Sequence, residues 1–217
     1  MSGGGVGTSL LLLGGIVLCV GLSRSLTRRR LRSPPPPYGF TVLHGLTLPG
    51  SACNPCGTLQ PMWGGGIPLG MGGVKICAQF LAAGLARLFM SFVWSLEMAE
   101  PHFGALSQGC SHPMRTSELQ AFCIELLFSV VFQLTALRVE RVSPKYKVHL
   151  VALLITMLVY AGGNLTGAIF NPALASSLHP NCFYEQFFSY SLVYWIAPSL
   201  GTILVAFLWD EILPRIS

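Results

Sequence analysis

The sequence predicts an all-α membrane protein built as an inverted repeat with two half-helices. Charged residues make up 10 % of the 217-residue chain, whereas soluble domains contain about 25 %. The hydrophobic share is 52 % and the mean hydropathy is +0.62. Such a chain is too apolar to be disordered, and it has too few charges to cover the surface of a soluble globule. Because the net charge is only +5, the expected partner is the lipid bilayer and not nucleic acid.

Four apolar segments are predicted to cross the bilayer, where a helix needs about 20 residues. They are Val74–Leu96, Leu119–Leu137, Val148–Ala161 and Phe187–Leu208. A further apolar run, Ser9–Leu22, is of marginal length, and its basic residues, Arg24 to Arg32, follow it. A cleaved signal peptide carries its charge in front, so residues 1–37 are predicted to be an uncleaved hydrophobic anchor with a basic, proline-rich break. Residues 38–213 then form the main membrane domain.

The charges of the loops predict the orientation, because Lys and Arg concentrate on the cytoplasmic side of a membrane. Residues 138–147 carry four basic side chains, whereas residues 97–118 carry one Arg and three Glu. We therefore place the first of these loops in the cytoplasm and the second outside. Counting spans from these loops places both the basic run after Ser9–Leu22 and the C-terminus in the cytoplasm.

An Asn-Pro pair followed by a small residue occurs twice, 117 positions apart, as Asn54-Pro55-Cys56 and Asn171-Pro172-Ala173. Asn is a favoured N-cap and Pro is favoured at the first helical position, so each motif predicts the start of a short helix. Two such helices in opposite orientations indicate an inverted repeat with both helix N-termini at one central site. That site would repel cations and offer the two Asn amides to neutral hydroxylic solutes. The alternative is two chance Asn-Pro turns.

These motifs, together with others in the same order, resemble those of the aquaporin (major intrinsic protein) family. The second motif is the family's Asn-Pro-Ala, and the Asn-Pro-Cys of the first is similar to the divergent superaquaporin branch. Ala78-Gln79, Ile124-Glu125 and the run from Trp195 to Gly201 also match. The likeness covers about residues 42 to 213.

The resemblance implies an aquaporin-like channel domain over residues 38–213 that passes water and small neutral solutes in a homotetramer. Asn54, Pro55, Cys56, Asn171, Pro172 and Ala173 would form its centre. Glu125 would support the structure by accepting hydrogen bonds from the loop that carries Asn171. The endoplasmic reticulum or another intracellular membrane is expected rather than the plasma membrane.

Two departures from the family pattern modify these expectations. Leu174 follows the second motif where the family usually has Arg, and two further filter positions of the family fall at Val159 and Ala168. The constriction would then be apolar and uncharged, so glycerol and hydrogen peroxide join water as expected solutes. In addition, one marginal span and a Pro run stand where the family has two spans. The first repeat is therefore expected to be incomplete and the chain shortened near its N-terminus.

Of the seven cysteines, Cys110 and Cys182 are the two that the predicted topology places outside the membrane. In an oxidising compartment this pair alone could form a disulfide within one subunit. Two free thiols or an intermolecular bridge are the alternatives. The spacing of Cys and His predicts no zinc site, and no cofactor is expected. No nucleophile–base pair or phosphate loop in the sequence supports an enzyme.

Two other functions stay open from the sequence. The chain could be a non-conducting, truncated subunit or a membrane interaction protein that keeps the second repeat without a working pore. It could also be a fragment of a secondary transporter, since these proteins contain broken helices in inverted repeats. The sequence lacks the intramembrane cluster of charged residues that ion coupling would use.

Overall fold

Helices make up most of the part of the chain that the structure describes. The computed structural model describes residues 37–47, 53–97, 110, 113–140 and 142–212. In chain order its helices are α1 (Pro37–Thr47), α2 (Pro55–Trp63), α3 (Leu69–Ser95), α4 (Glu118–Val139), α5 (Pro144–Gly162), α6 (Pro172–Leu178), α7 (Pro180–Glu185), α8 (Phe187–Ser191) and α9 (Ala197–Phe207). Two π-helical turns, Leu192–Ile196 and Leu208–Ile212, extend α8 and α9.

Four helical segments of the described chain are long and apolar enough to cross a membrane. Leu69–Ser95, Glu118–Val139, Pro144–Gly162 and Phe187–Asp210 contain 27, 22, 19 and 24 residues. At 1.5 Å per residue, even the shortest approaches the 30 Å thickness of the hydrocarbon core. The four spans predicted from the sequence are thereby confirmed, although the first and third begin about one turn earlier. The predicted anchor Ser9–Leu22 and the completeness of the first repeat lie outside the described residues.

Helix α1 is an element that the sequence does not predict. Its described residues start at Pro37, the last of the run of prolines. Proline is compatible with the start of a helix even though it cannot continue one. Helix α1 packs along α5. A Cβ added to Gly45 would lie 2.8 Å from Val148 Cγ1, which shows how closely the two helices approach.

Helices α4 and α9 approach each other closely. A Cβ added to Gly201 would lie 2.7 Å from the carbonyl oxygen of Leu126. Ser129 of α4 bonds across this contact, because its Oγ donates to Pro198 O of α9 at 2.7 Å and lies 3.2 Å from Thr202 Oγ1. Small and hydroxyl-bearing residues are the usual means of packing helices in lipid, where helix association gains nothing from hydrophobic transfer.

The polar side chains lie inside the helix assembly and large apolar ones cover its outside. Glu125, Gln79 and Ser129 are almost completely buried, whereas Phe188 on α8 is 86 % exposed. This is the arrangement expected of a protein whose outer solvent is lipid. The exposed apolar surface continues along α3, α4 and α5, where its large members include Leu69, Leu81, Phe92, Leu119, Leu127, Leu153 and Met157.

Candidate functional site

The two Asn-Pro motifs begin two half-helices, α2 and α6. Asn54 is the N-cap of α2, and its side-chain oxygen accepts a hydrogen bond from Cys56 N at 3.0 Å. Asn171 is the N-cap of α6 and accepts from Ala173 N and Leu174 N at 3.1 and 3.2 Å. A Pro follows each Asn in the first turn. The same local chemistry therefore starts both helices, as the motif predicts.

The side chain of each Asn also reaches across to the other motif. Asn54 Nδ2 donates to Phe170 O at 3.0 Å, and Asn171 Nδ2 donates to Cys53 O at 3.4 Å. In both bonds the acceptor is the residue immediately before the other Asn. These reciprocal bonds place the N-terminal ends of the two half-helices side by side in the middle of the molecule. An amide nitrogen carries two hydrogens, so each Asn keeps a second donor after making its crossing bond.

The loop before Asn171 has an unusual backbone that Glu125 holds in place. Gly167, Ala168 and Phe170 have φ values of 88°, 49° and 31°, a region that side chains other than Gly rarely adopt. The Glu125 carboxylate, fully buried on α4, accepts from Ile169 N at 3.2 Å and from Phe170 N at 2.6 Å. Strained backbone of this kind persists only where the surroundings fix it, and two charge-assisted bonds do so here.

A second support of this loop involves residues that the sequence analysis does not single out. The Thr166 hydroxyl accepts from Ala168 N at 3.2 Å, and the Tyr194 hydroxyl donates to Thr166 O at 2.7 Å. Both side chains are completely buried. Tyr194 lies in an apolar span and gives no sequence signal for such a role, because its partner is a main-chain atom of a distant loop.

The first motif is anchored by side chains of α3, α4 and α9. Cys56 is completely buried, and its thiol makes hydrogen bonds to hydroxyls of α4 and α9, among them Thr202. Two residues further along α2, the Thr58 hydroxyl accepts from Gln79 Nε2 at 2.9 Å. The half-helix is thus tied by polar contacts to the spans that flank it. The family resemblance matches Gln79 as part of the pair Ala78-Gln79, but it does not predict this contact with Thr58.

The three expected filter residues, Val159, Ala168 and Leu174, pack in different apolar clusters. Val159 and Ala168 pack in one apolar cluster with Phe128 and Phe170. Leu174 instead packs against two other clusters, which contain residues of α3, α6 and the π-helical turn after α8. All three positions are apolar or small, so they bring no charge to this part of the molecule.

A disulfide joins the two cysteines that the topology places outside the membrane. The Cα atoms of Cys110 and Cys182 are 4.6 Å apart, within the range that such a bond requires. The bond ties the chain before α4 to α7, directly after the second half-helix. It lies at the end of the molecule where α6 terminates, so it limits the movement of this half-helix relative to α4.

A thiol and an imidazole also meet beside the first motif, a pair that the sequence does not predict. Cys53 Sγ lies 3.6 Å from His44 Nε2 of α1. Among the described residues no group of three His, Cys, Asp or Glu side chains could hold a metal ion. The chemistry of the central site therefore consists of amide donors, apolar walls and this one thiol–imidazole pair.

Comparison with known proteins relates both the sequence and the fold to one family. The profile of the family described as "Major intrinsic protein" matches residues 38–209. Aquaporin-11 of Equus caballus is 45 % identical over 177 residues, which are 82 % of this chain and 65 % of that protein. Aquaporin-11 of Homo sapiens is 44 % identical over the same shares of the two chains. This chain thus spans about 65 % of the length of these two relatives.

A more distant relative and a solved structure are also aquaporins or aquaglyceroporins. Putative aquaporin-12A of Homo sapiens is 34 % identical over 177 residues, which are 81 % of this chain and 60 % of that protein. The X-ray structure of the aquaglyceroporin from Plasmodium falciparum superposes with a TM-score of 0.76, covering 97 % of this chain and 96 % of that one. At 17 % sequence identity, this last similarity shows a shared fold.

Proposed function

The chain belongs to the major intrinsic protein (aquaporin) family, and from this membership we propose that it forms a passive transmembrane channel for water and small neutral solutes. The resemblance drawn from the Asn-Pro motifs and the four-span membrane fold is confirmed by the comparisons. The family consists of channels and not of enzymes. Conduction by this chain and the identity of its solutes are the proposal.

The meeting of Asn54 and Asn171 is the observation that supports conduction most strongly. Each side chain caps its own half-helix and crosses to the other, which fixes the direction of both amides. The remaining amide hydrogens are donors for a hydroxylic solute that gives up its bonds to water. Two helix N-termini, each with a partial positive charge, repel cations and the hydrated proton from the same place.

The apolar nature of the expected constriction supports a broader choice of solutes. Leu174, Val159 and Ala168 offer no charge and no side-chain hydrogen bond. A constriction of this kind discriminates by size alone, and a larger neutral molecule with its own apolar face can pass. We therefore propose glycerol and hydrogen peroxide as solutes in addition to water.

We further propose a homotetramer in the membrane of the endoplasmic reticulum or another intracellular membrane. The assembly rests on the family resemblance, and the large apolar outer surface of the described helices would be divided between lipid and neighbouring subunits. The disulfide between Cys110 and Cys182 fits an oxidising compartment on one side of the membrane, such as the lumen of the reticulum.

Permeability of proteoliposomes tests the proposed function. Purified full-length chain is reconstituted, and the entry of water, glycerol and hydrogen peroxide is compared with entry into empty liposomes of the same lipid. We expect faster entry of all three solutes. Entry no faster than in empty liposomes for every solute would refute conduction and favour a non-conducting subunit or membrane interaction protein.

A further inference from the structure

Cys53 lies at the point where the two half-helices meet. Its main-chain carbonyl accepts the crossing hydrogen bond of Asn171, and the next residue along the chain is Asn54. Its side chain is only partly buried and packs against the apolar cluster of α3 and α6 that includes Ala83 and Ala173. The main chain of Cys53 therefore contacts one of the amide donors that the proposed function assigns to solute contact, and its thiol lies in the adjoining cluster of α3 and α6.

The surroundings of Cys53 are those of a reactive thiol. His44 Nε2 lies 3.6 Å from Sγ, within hydrogen-bond distance for sulfur. The tautomer with an unprotonated Nε2 can accept the thiol proton, although burial lowers the pKa of His44. The thiol also precedes the N-cap of the nine-residue helix α2, whose N-terminus carries partial positive charge. A neighbouring imidazole and a helix N-terminus are two of the features that convert a thiol to the nucleophilic thiolate.

We propose that Cys53 and His44 form a peroxide-reactive pair at which Cys53 is oxidised to a sulfenic acid. The Cys53 thiolate attacks one oxygen of hydrogen peroxide, an S–O bond forms and the O–O bond breaks. The departing hydroxide takes the proton that His44 had received from the thiol and leaves as water. Peroxide is thus reduced to water while the sulfur is oxidised, and no further reactant is needed.

Oxidation at this position changes the central site itself. A sulfenic acid adds an oxygen atom and a polar O–H group beside the amides of Asn54 and Asn171. The added group occupies space next to the apolar cluster and competes for the donors that a passing solute would use. The site therefore makes conduction sensitive to peroxide, and a thiol reductant reverses the change.

The other described cysteines that lie outside the disulfide provide internal controls. Cys56 is completely buried among hydroxyls of neighbouring helices, where no reagent reaches it. Cys77 and Cys123 are exposed on the spans α3 and α4, and neither makes a hydrogen bond to a histidine in the described part of the chain. Both lie on the surface that these spans present to lipid, and among the described cysteines outside the disulfide Cys53 is the one that pairs with an imidazole.

The test is trapping of the sulfenic acid in the full-length protein in liposomes. The protein is exposed to hydrogen peroxide in the presence of dimedone, and adducts are located by peptide mass spectrometry. We expect the adduct at Cys53 to form at least about tenfold faster in the unaltered chain than in His44→Gln, because an unassisted thiol is only a few per cent thiolate at neutral pH. Cys77 and Cys123, which lie on the lipid-facing surface of α3 and α4, should form little adduct in either protein.

His149→Gln is the matched control for that variant. His149 on α5 lies 2.6 Å from the Tyr38 hydroxyl of α1, so its replacement alters the same helix pair without touching Cys53. The control should leave the Cys53 rate unchanged. Equal rates of adduct formation at Cys53, Cys77 and Cys123 in the unaltered chain would overturn the proposal. This comparison does not depend on the folding of any variant. A Cys53 rate unaffected by His44→Gln would overturn it as well.

Conduction provides a second measurement. Peroxide should reduce glycerol entry into proteoliposomes and dithiothreitol should restore it, whereas glycerol entry through Cys53→Ser should be the same before and after peroxide. An equal loss in Cys53→Ser would contradict control through this residue. If untreated protein conducts nothing, the proposed channel function fails, while the pattern of dimedone adducts still decides whether the pair reacts with peroxide.

Discussion

Each central Asn performs two structural tasks with the two ends of one amide. The oxygen of Asn54 or Asn171 caps its own half-helix, and the nitrogen donates to the main chain of the other motif. A carboxylate could replace the first task, since Asp is also a good N-cap. It could not replace the second, because it has no hydrogen to donate. The pair therefore depends on Asn itself and not on polarity alone.

At the same scale, Leu174→Arg tests whether this position lines the conduit. Arg is longer and charged, so it should narrow the path and discriminate against the larger solute. We expect the ratio of glycerol to water permeability to fall by about tenfold, the lower end of what one changed side chain in a binding pocket achieves. Stopped-flow light scattering measures both permeabilities, with Leu174→Met as the apolar control. An unchanged ratio in Leu174→Arg would place the residue away from the conduit.

Sequence patterns predict which side chains form this site, but they do not predict the atoms that these side chains contact. The motifs identify Asn54 and Asn171 because helix capping is a local property. They do not reveal that Phe170 O and Cys53 O accept the crossing bonds, since those acceptors are main-chain atoms brought together by tertiary packing. The same reason hides the pairing of Cys53 with His44 on α1.

At the scale of elements, the spans are predictable and the short helices are harder to find. The four long apolar runs define α3, α4, α5 and the final span, because length and composition alone satisfy the bilayer. The described residues of α1, Pro37–Thr47, follow a run of prolines and contain two glycines, so this stretch of sequence does not distinguish a helix from a loop. What stabilises it is packing along α5, and that contact has no local sequence signal.

Two glycines 117 positions apart offer a direct test of element packing. A Cβ at Gly201 would lie 2.7 Å from Leu126 O, whereas a Cβ at Gly84 of α3 would meet nothing within 4 Å. Gly201→Ala should force α4 and α9 apart and cost about 1–3 kcal/mol. Gly84→Ala is the matched control and should leave stability unchanged or slightly raised. Unfolding midpoints in detergent decide this, and equal midpoints for the two variants would refute the close contact.

At the scale of the whole molecule, the disulfide restricts the second half of the chain. Cys110 and Cys182 are separated by 72 residues, and closing a loop of this length contributes about 2–4 kcal/mol to stability. Cys110→Ser and reduction of the unaltered protein should lower the unfolding midpoint equally, and Cys123→Ser should not lower it. Alkylation before reduction, followed by mass spectrometry, checks the bond itself. Modification of both Cys110 and Cys182 under those conditions would contradict it.

The central claim for the whole molecule is that Asn54 and Asn171 act as one solute site. The most direct test is the water and glycerol permeability of liposomes that contain equal amounts of inserted wild type, Asn54→Asp, Asn171→Asp and the double variant. Asp keeps the cap but removes the crossing donor and adds negative charge to the centre. We predict that each single variant falls close to the level of empty liposomes and that the double variant falls no further. Wild-type permeability in either single variant would contradict the shared site.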